Sequence, residues 1–127
     1  MQIERKNYSH LNAPVGPYVH AVSYNGFLFL SGLTALGTSA QHQDFAAQVE
    51  AIFEQIEKIF EAESISFSQL IKVTIFVTEL GEVDQLRRVL FDHYQTNLPA
   101  SSLVQVTRLF APELKIEIEA IAAVNEK

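Results

Sequence analysis

The chain has 127 residues, of which 48% are hydrophobic and 19% charged, and it contains no cysteine. These values are typical of one globular domain covering residues 1–127, and they exclude disulfide frameworks, cysteine nucleophiles and thiolate metal sites. The formal net charge of -6 disfavours nucleic acid as a partner, because binding to phosphates requires a basic face. The N-terminal residues are polar and no apolar run approaches the roughly 20 residues of a membrane-spanning helix, so we expect a cytoplasmic protein without a membrane partner.

The first part of the chain has the pattern of β-strands. Residues 3–7 are expected to form a short edge strand, and the Asn25-Gly26 dipeptide is typical of a tight turn between two antiparallel strands. The second of those strands begins with residues 27–30, Phe-Leu-Phe-Leu, which are apolar on both faces of the pleat. We therefore expect helices to cover one side of this strand and a further element, such as another subunit, to cover the other.

Helical periodicity begins after Asp44 and predicts a long amphipathic helix. Its apolar positions, at spacings of three and four, are Phe45, Val49, Ile52, Phe53, Ile56, Ile59 and Phe60. Residues 72–78 follow and are rich in β-branched side chains, which favours a strand.

A second and shorter helix is expected between Gly81 and Pro99, since proline disfavours helical geometry in the residue before it. Its predicted apolar face carries Val83, Leu86, Leu90 and Tyr94. Residues 101–108 and 114–124 are expected to form two final strands. This order of elements predicts an α+β layer fold rather than an alternating α/β one.

Five short segments resemble those of the RidA/YjgF family, also called the endoribonuclease L-PSP-like family. They extend over nearly the whole chain in the family's order: Ala-Pro-Val-Gly-Pro-Tyr (13–18), Leu-Ser-Gly (30–32), Lys-Val-Thr-Ile-Phe-Val (72–77), Leu-Pro-Ala (98–100) and Lys-Ile-Glu-Ile-Glu-Ala-Ile-Ala (115–122). The resemblance implies a chorismate-mutase-like fold, a sheet backed by two helices, and a homotrimer with ligand clefts between subunits. It also implies hydrolysis of enamine or imine intermediates to a 2-oxo acid and ammonia, with no metal and no organic cofactor.

The same resemblance assigns roles to four residues. It places Tyr18 in the cleft, turns Ser31 and Gly32 toward the ligand, and makes Glu117 the carboxylate that orients water and acts as general base. Structural alternatives exist for three of them. Tyr18 could cover the edge of the core, the Ser31 hydroxyl could bond to local backbone, and Glu117, like Glu119, could simply face solvent.

Several positions depart from the family pattern. Ser101 stands where relatives carry the arginine that binds the substrate carboxylate. Leu103 stands at the position of a cysteine in relatives, and Leu33 at that of a glutamine. A serine hydroxyl offers one neutral hydrogen bond where a guanidinium offers two charge-assisted ones. Arg87 stands where relatives carry an asparagine. It either supplies the missing charge to a small carboxylate ligand or is an ordinary solvated helix residue.

Two functions of different class therefore remain open. One is an imine deaminase with an altered substrate, and the other is a non-catalytic trimeric protein that binds a small metabolite in the same cleft. An endoribonuclease fits the acidic charge least. The widely spaced His20, His42 and His93 form no metal-ligand motif, and only His20 is a minor candidate for the cleft.

Overall fold

The computed structural model describes residues 2–125, which form six strands and two α-helices. In chain order the elements are β1 (Glu4–Lys6), β2 (Ala21–Tyr24), β3 (Phe27–Leu33), α1 (Phe45–Glu63), β4 (Leu70–Val77), α2 (Val83–Tyr94), β5 (Ala100–Gln105) and β6 (Ile116–Ala123). The predicted α+β class and element order are confirmed. The last two strands are shorter than expected, since β5 ends at Gln105 and β6 begins at Ile116.

The six strands form one sheet in the order β1-β2-β3-β6-β4-β5. Asn25 and Gly26 both have positive φ angles, of 53° and 82°, so the predicted dipeptide closes the β2–β3 hairpin in the geometry that matches strand twist. All neighbouring pairs are antiparallel except β4 and β5, which are parallel. A parallel pair needs a crossover connection, and α2 provides it.

The helices cover one face of the sheet. The Asp44 side chain accepts a hydrogen bond from the Ala47 N–H at 3.0 Å and so begins α1. The predicted apolar positions of α1 are all buried, and they pack against alternate buried residues of the strands, such as Ile116 and Ile118 of β6. This alternation leaves the other face of each strand outside the core.

That second face is open in the isolated chain. Leu28 and Leu30 of β3 are buried under the helices, whereas Phe27 and Phe29 are 41% and 43% exposed. The expectation of helices on one side of this strand is therefore met. Within residues 2–125 no element covers the other side, so two phenylalanine rings face outward.

One buried amide connects the helical layer to the start of β6. The Gln48 side chain of α1 is fully buried, and its Nε2 donates to the Glu113 carbonyl at 2.9 Å. Its Oε1 accepts from the Lys115 N–H at 2.8 Å. Because Lys115 directly precedes β6, this amide fixes where the strand begins and so where Glu117 lies. No helix among residues 2–125 has the length and apolar character needed to cross a membrane.

Candidate active site

A small cleft of about 140 Å³ opens between the segment after β1 and the end of β3. Its lining comprises residues 11–15 and 31–34 together with Tyr18, His20, Leu36, Gly37 and Gln55. Tyr18, Ser31 and Gly32, three of the site residues expected from the sequence, lie together in this lining. Asn12, Thr34 and Gln55 were not singled out from the sequence, because isolated neutral polar residues carry no pattern.

The Tyr18 ring belongs to the cleft rather than to the core. It is 46% exposed, and its hydroxyl oxygen accepts a hydrogen bond from the Val15 N–H at 3.3 Å. The hydroxyl proton is therefore free to be donated to a ligand or a water.

Ser31 lies at an irregularity in the pairing of β3 with β6, between Leu30 and Leu33. Its N–H donates to the His20 carbonyl at 3.0 Å, and its hydroxyl donates to the Val19 carbonyl at 2.6 Å. The hydroxyl proton is thus used by local backbone, which is the structural alternative raised by the sequence. The oxygen still has a lone pair that can accept a bond from a ligand.

His20 holds the segment that carries Tyr18. Its Nδ1 accepts from the Tyr8 N–H at 2.9 Å and its Nε2 lies 2.8 Å from the Asn12 carbonyl oxygen. Since a carbonyl can only accept, Nε2 must carry the ring proton. The buried ring therefore joins β2 to two points of the preceding segment and is a positioning residue for the cleft.

Glu117 is not part of the cleft lining but contacts Gly32, which is. A Cβ atom placed on Gly32 would lie 2.7 Å from Glu117 Cδ and closer still to Oε2. The carboxylate therefore occupies the space that a side chain at position 32 would need. This contact places the expected general base directly beside the Ser31-Gly32 segment.

The electrostatic setting of Glu117 suits a proton acceptor. Burial raises the pKa of its carboxyl above the ordinary value of 4.5, and the nearby negative charge of Glu119 raises it further. Glu119 itself is exposed on the same face of β6, which agrees with its expected contact with solvent. A carboxylate with a raised pKa holds a proton more readily and is a better general base near neutral pH.

Ser101 and Leu103 lie at the far edge of the sheet. Both belong to β5 and pair with Val73 and Ile75 of β4. Since β6 and β4 separate β3 from β5, three strand spacings of about 4.8 Å put the two strands about 14 Å apart. A single chain therefore does not bring these two residues to the Tyr18 cleft.

Arg87 also lies outside the cleft lining. Its Nη1 is 3.2 Å from Asp84 Oδ1 on the same helix, and the two side chains are 67% and 86% exposed. This matches the solvated helix arginine that the sequence left as an alternative. The expectation that Arg87 supplies the missing positive charge to a carboxylate ligand therefore finds no support within one chain.

The histidines take separate structural positions. His93 stacks on Phe53 with ring centroids 4.2 Å apart and bonds to Glu50, whereas His42 is exposed near Glu113. Within the described part of the chain, no three His, Cys, Asp or Glu side chains converge on a point that could hold a metal ion.

Comparison with known proteins agrees with this architecture. The family model described as Endoribonuclease L-PSP matches residues 9–124. A 2-iminobutanoate/2-iminopropanoate deaminase of Salmonella typhimurium is 35% identical over 118 residues, which cover 87% of this chain and 91% of that protein. A RutC family protein of Aquifex aeolicus is 34% identical over 113 residues, covering 85% and 90% of the two chains.

Solved structures show the same likeness. A yeast protein superposes with a TM-score of 0.90 at 26% identity, covering 98% of this chain and all of the other. RidA from an Antarctic Psychrobacter superposes with a TM-score of 0.79 at 29% identity, covering 88% and 92%. The extent of the family match and the identity to these relatives place the chain in the RidA/YjgF family, which is also the endoribonuclease L-PSP family.

Proposed function

We propose that this protein is a small-molecule hydrolase of the enamine and imine deaminase type, acting in a cleft between the subunits of a homotrimer. The observation that carries the proposal is the half-buried Glu117 carboxylate, which lies against Gly32, a residue that lines the cleft together with Ser31 and Tyr18. Relatives about one-third identical are named as deaminases of 2-imino acids or of reactive intermediates, which supports the same chemistry.

The reaction needs one water molecule and a group that takes its proton. Glu117 removes a proton from water as the oxygen attacks the carbon of a protonated imine, forming a tetrahedral carbinolamine. The same carboxyl then passes that proton to the nitrogen. As the C–N bond breaks, Glu117 takes the hydroxyl proton so that the carbonyl forms, and the released ammonia picks up this proton to leave as ammonium. The net change converts R₂C=NH₂⁺ and H₂O into R₂C=O and NH₄⁺, so every step uses only this chain's residues and water.

The trimer is supported by two independent features. The open sheet face carries the outward rings of Phe27 and Phe29, and burial against another subunit would remove that apolar surface from water. The second feature is the distance of about 14 Å between β3 and β5, which prevents one small ligand from touching both strands of one chain. A neighbouring subunit can bring its Ser101 and Leu103 to the Tyr18 cleft and so complete the site.

Substitution of the proposed base tests the function. We expect Glu117→Gln to lower the turnover of imines by about 10² to 10⁴, since amide nitrogen and oxygen cannot accept the proton of water at neutral pH. The imines are generated in the assay by an amine or amino-acid oxidase, and competition with semicarbazide reports their lifetime. Glu119→Gln, on the same face of the same strand, is the matched control and should retain turnover. Equal turnover of the Glu117→Gln variant and the natural protein would contradict the proposal.

A non-catalytic metabolite-binding protein is the second candidate. It is favoured by Ser101 in place of the expected arginine and by the use of the Ser31 hydroxyl proton in a bond to Val19. Binding of an imine or ketone to the cleft without any acceleration of hydrolysis would support this alternative. Ribonuclease activity is least favoured, since the net charge of -6 opposes binding of a phosphate backbone.

A further inference from the structure

The lining of the Tyr18 cleft, as defined above, contains no lysine or arginine among the residues that the structure describes. Its polar groups other than His20 are neutral and include the Asn12 and Gln55 amides and the Tyr18 hydroxyl. His20, the one titratable imidazole in the lining, has Nδ1 bound to the Tyr8 N–H and Nε2 bound to the Asn12 carbonyl. The remaining lining is largely apolar, with Leu11, Leu33 and Leu36 at its wall.

The charged group next to this lining is negative. The Glu117 carboxylate contacts Gly32, and Glu119 adds a second negative charge on the same strand face. A carboxylate ligand at Gly32 would approach Glu117 without a neutralising cation, and partial burial strengthens that repulsion. A cation at the same place would be attracted instead.

The two β5 residues expected from a neighbouring subunit carry no positive charge. Ser101 is neutral and Leu103 is apolar. Arg87 of α2 is paired with Asp84 at 3.2 Å, so the two side chains together carry no net charge. Lys72, the lysine beside β5, already donates through Nζ to Ser102 Oγ at 2.7 Å. The cleft lining and the two β5 residues therefore provide no positively charged partner for an anionic substrate.

We infer that the substrate is an imine without a carboxylate, bound as its iminium cation with an apolar body, and not a 2-imino acid. Such a cation pairs with Glu117 before water attacks, and its alkyl groups lie against the leucine wall. Ionised Glu117 then stabilises the substrate charge and accepts the proton of the water. This inference rests on the proposed hydrolase function and narrows its substrate class.

A matched pair of imines tests the inference. Butan-2-imine and 2-iminobutanoate differ only in a methyl group that replaces the carboxylate, and both are generated in the assay by oxidases from the corresponding amines. We expect the natural protein to hydrolyse butan-2-imine with at least tenfold higher kcat/KM than 2-iminobutanoate. Ser101→Arg should reverse that preference, because a guanidinium supplies the missing carboxylate partner. Ala62→Arg, an exposed position in the last turn of α1, adds the same charge elsewhere and should leave the preference unchanged.

The outcomes separate this inference from the proposed function. Faster hydrolysis of 2-iminobutanoate than of butan-2-imine by the natural protein would overturn the inference while leaving the hydrolase intact. In that case, a loss of 2-iminobutanoate hydrolysis in the Arg87→Ala variant would identify Arg87 as the residue that binds the substrate carboxylate. Hydrolysis of neither imine above the rate without protein would overturn the hydrolase function, and the inference with it.

Discussion

The carboxylate of Glu117 lies where the side chain of residue 32 would be, so the position of this carboxylate at the edge of the cleft depends on glycine at position 32. Gly32 does not have a left-handed φ angle. The requirement for glycine at this position therefore comes from the neighbouring side chain and not from the backbone. A strand residue without a side chain permits such a close approach.

Gly32→Ala should displace the carboxylate and lower imine turnover at least tenfold. A Cβ 2.7 Å from Cδ cannot coexist with the present rotamer, and the end of a flexible glutamate can move without unfolding the sheet. Thermal unfolding should therefore change little while kcat falls. Gly81→Ala is the control, because a Cβ there meets no atom within 4 Å. Unchanged turnover in the Gly32→Ala variant would show that Glu117 does not take part in catalysis.

The activity should fall on acidification at a pH above the ordinary range of glutamate. The general base works only when ionised, and burial together with Glu119 raises the pKa of Glu117 above 4.5. Glu119→Gln removes one of these causes and should shift the acidic limb of the pH profile of kcat to lower pH. An acidic limb that stays in place in the Glu119 variant would contradict the assignment of the limb to Glu117.

The same raised pKa predicts a stability difference. Between pH 4.5 and the raised pKa, the unfolded chain has released the Glu117 proton while the folded chain retains it, so stability falls as the pH rises through that window. Glu117→Gln does not titrate and avoids this loss. Urea unfolding should therefore show the variant gaining stability over the natural protein as the pH rises from 4.5 through the raised pKa of Glu117. A difference in unfolding free energy between the variant and the natural protein that does not change with pH would rule out a raised pKa of Glu117.

Phe29→Glu should weaken or abolish subunit association. The ring is 43% exposed on the open sheet face of the isolated chain, and a charge there would be buried in a trimer without a partner. Light scattering should give three times 14.2 kDa for the natural protein and a lower mass for the variant. Ile3→Glu, 51% exposed before β1, is the control. A natural protein that remains monomeric would refute both the trimer and the shared cleft.

Arg87→Ala should have little effect on stability. The side chain is 67% exposed and its partner Asp84 is more exposed still, and exposed ion pairs of this kind contribute about 0.2–1 kcal/mol. Calorimetry should likewise show equally weak binding of 2-oxobutanoate to the variant and to the natural protein. A clear weakening would instead show that a subunit of the assembly turns Arg87 toward the ligand.

Much of the fold could be predicted from local patterns. The Asn25-Gly26 turn, the apolar spacing from Phe45 to Phe60, and the helix end before Pro99 each depend on residues close in sequence. Periodicity and turn chemistry operate over a few residues, so one sequence suffices to read them. The short family motifs also predicted Tyr18, Ser31, Gly32 and Glu117 as site residues; the first three line one cleft, and Glu117 contacts Gly32 beside it.

What the sequence could not determine depends on neighbours distant along the chain. The pairing of β5 with β4 puts the strand of Ser101 about 14 Å from β3, although the segments of both strands match one family motif set. The pairing of Arg87 with Asp84 and the two bonds of the His20 ring also appear only once the chain is folded. Local sequence determined which elements form and which residues can do chemistry. Tertiary structure decided which of them meet, because strand order and side-chain contacts are set by packing between segments far apart in sequence.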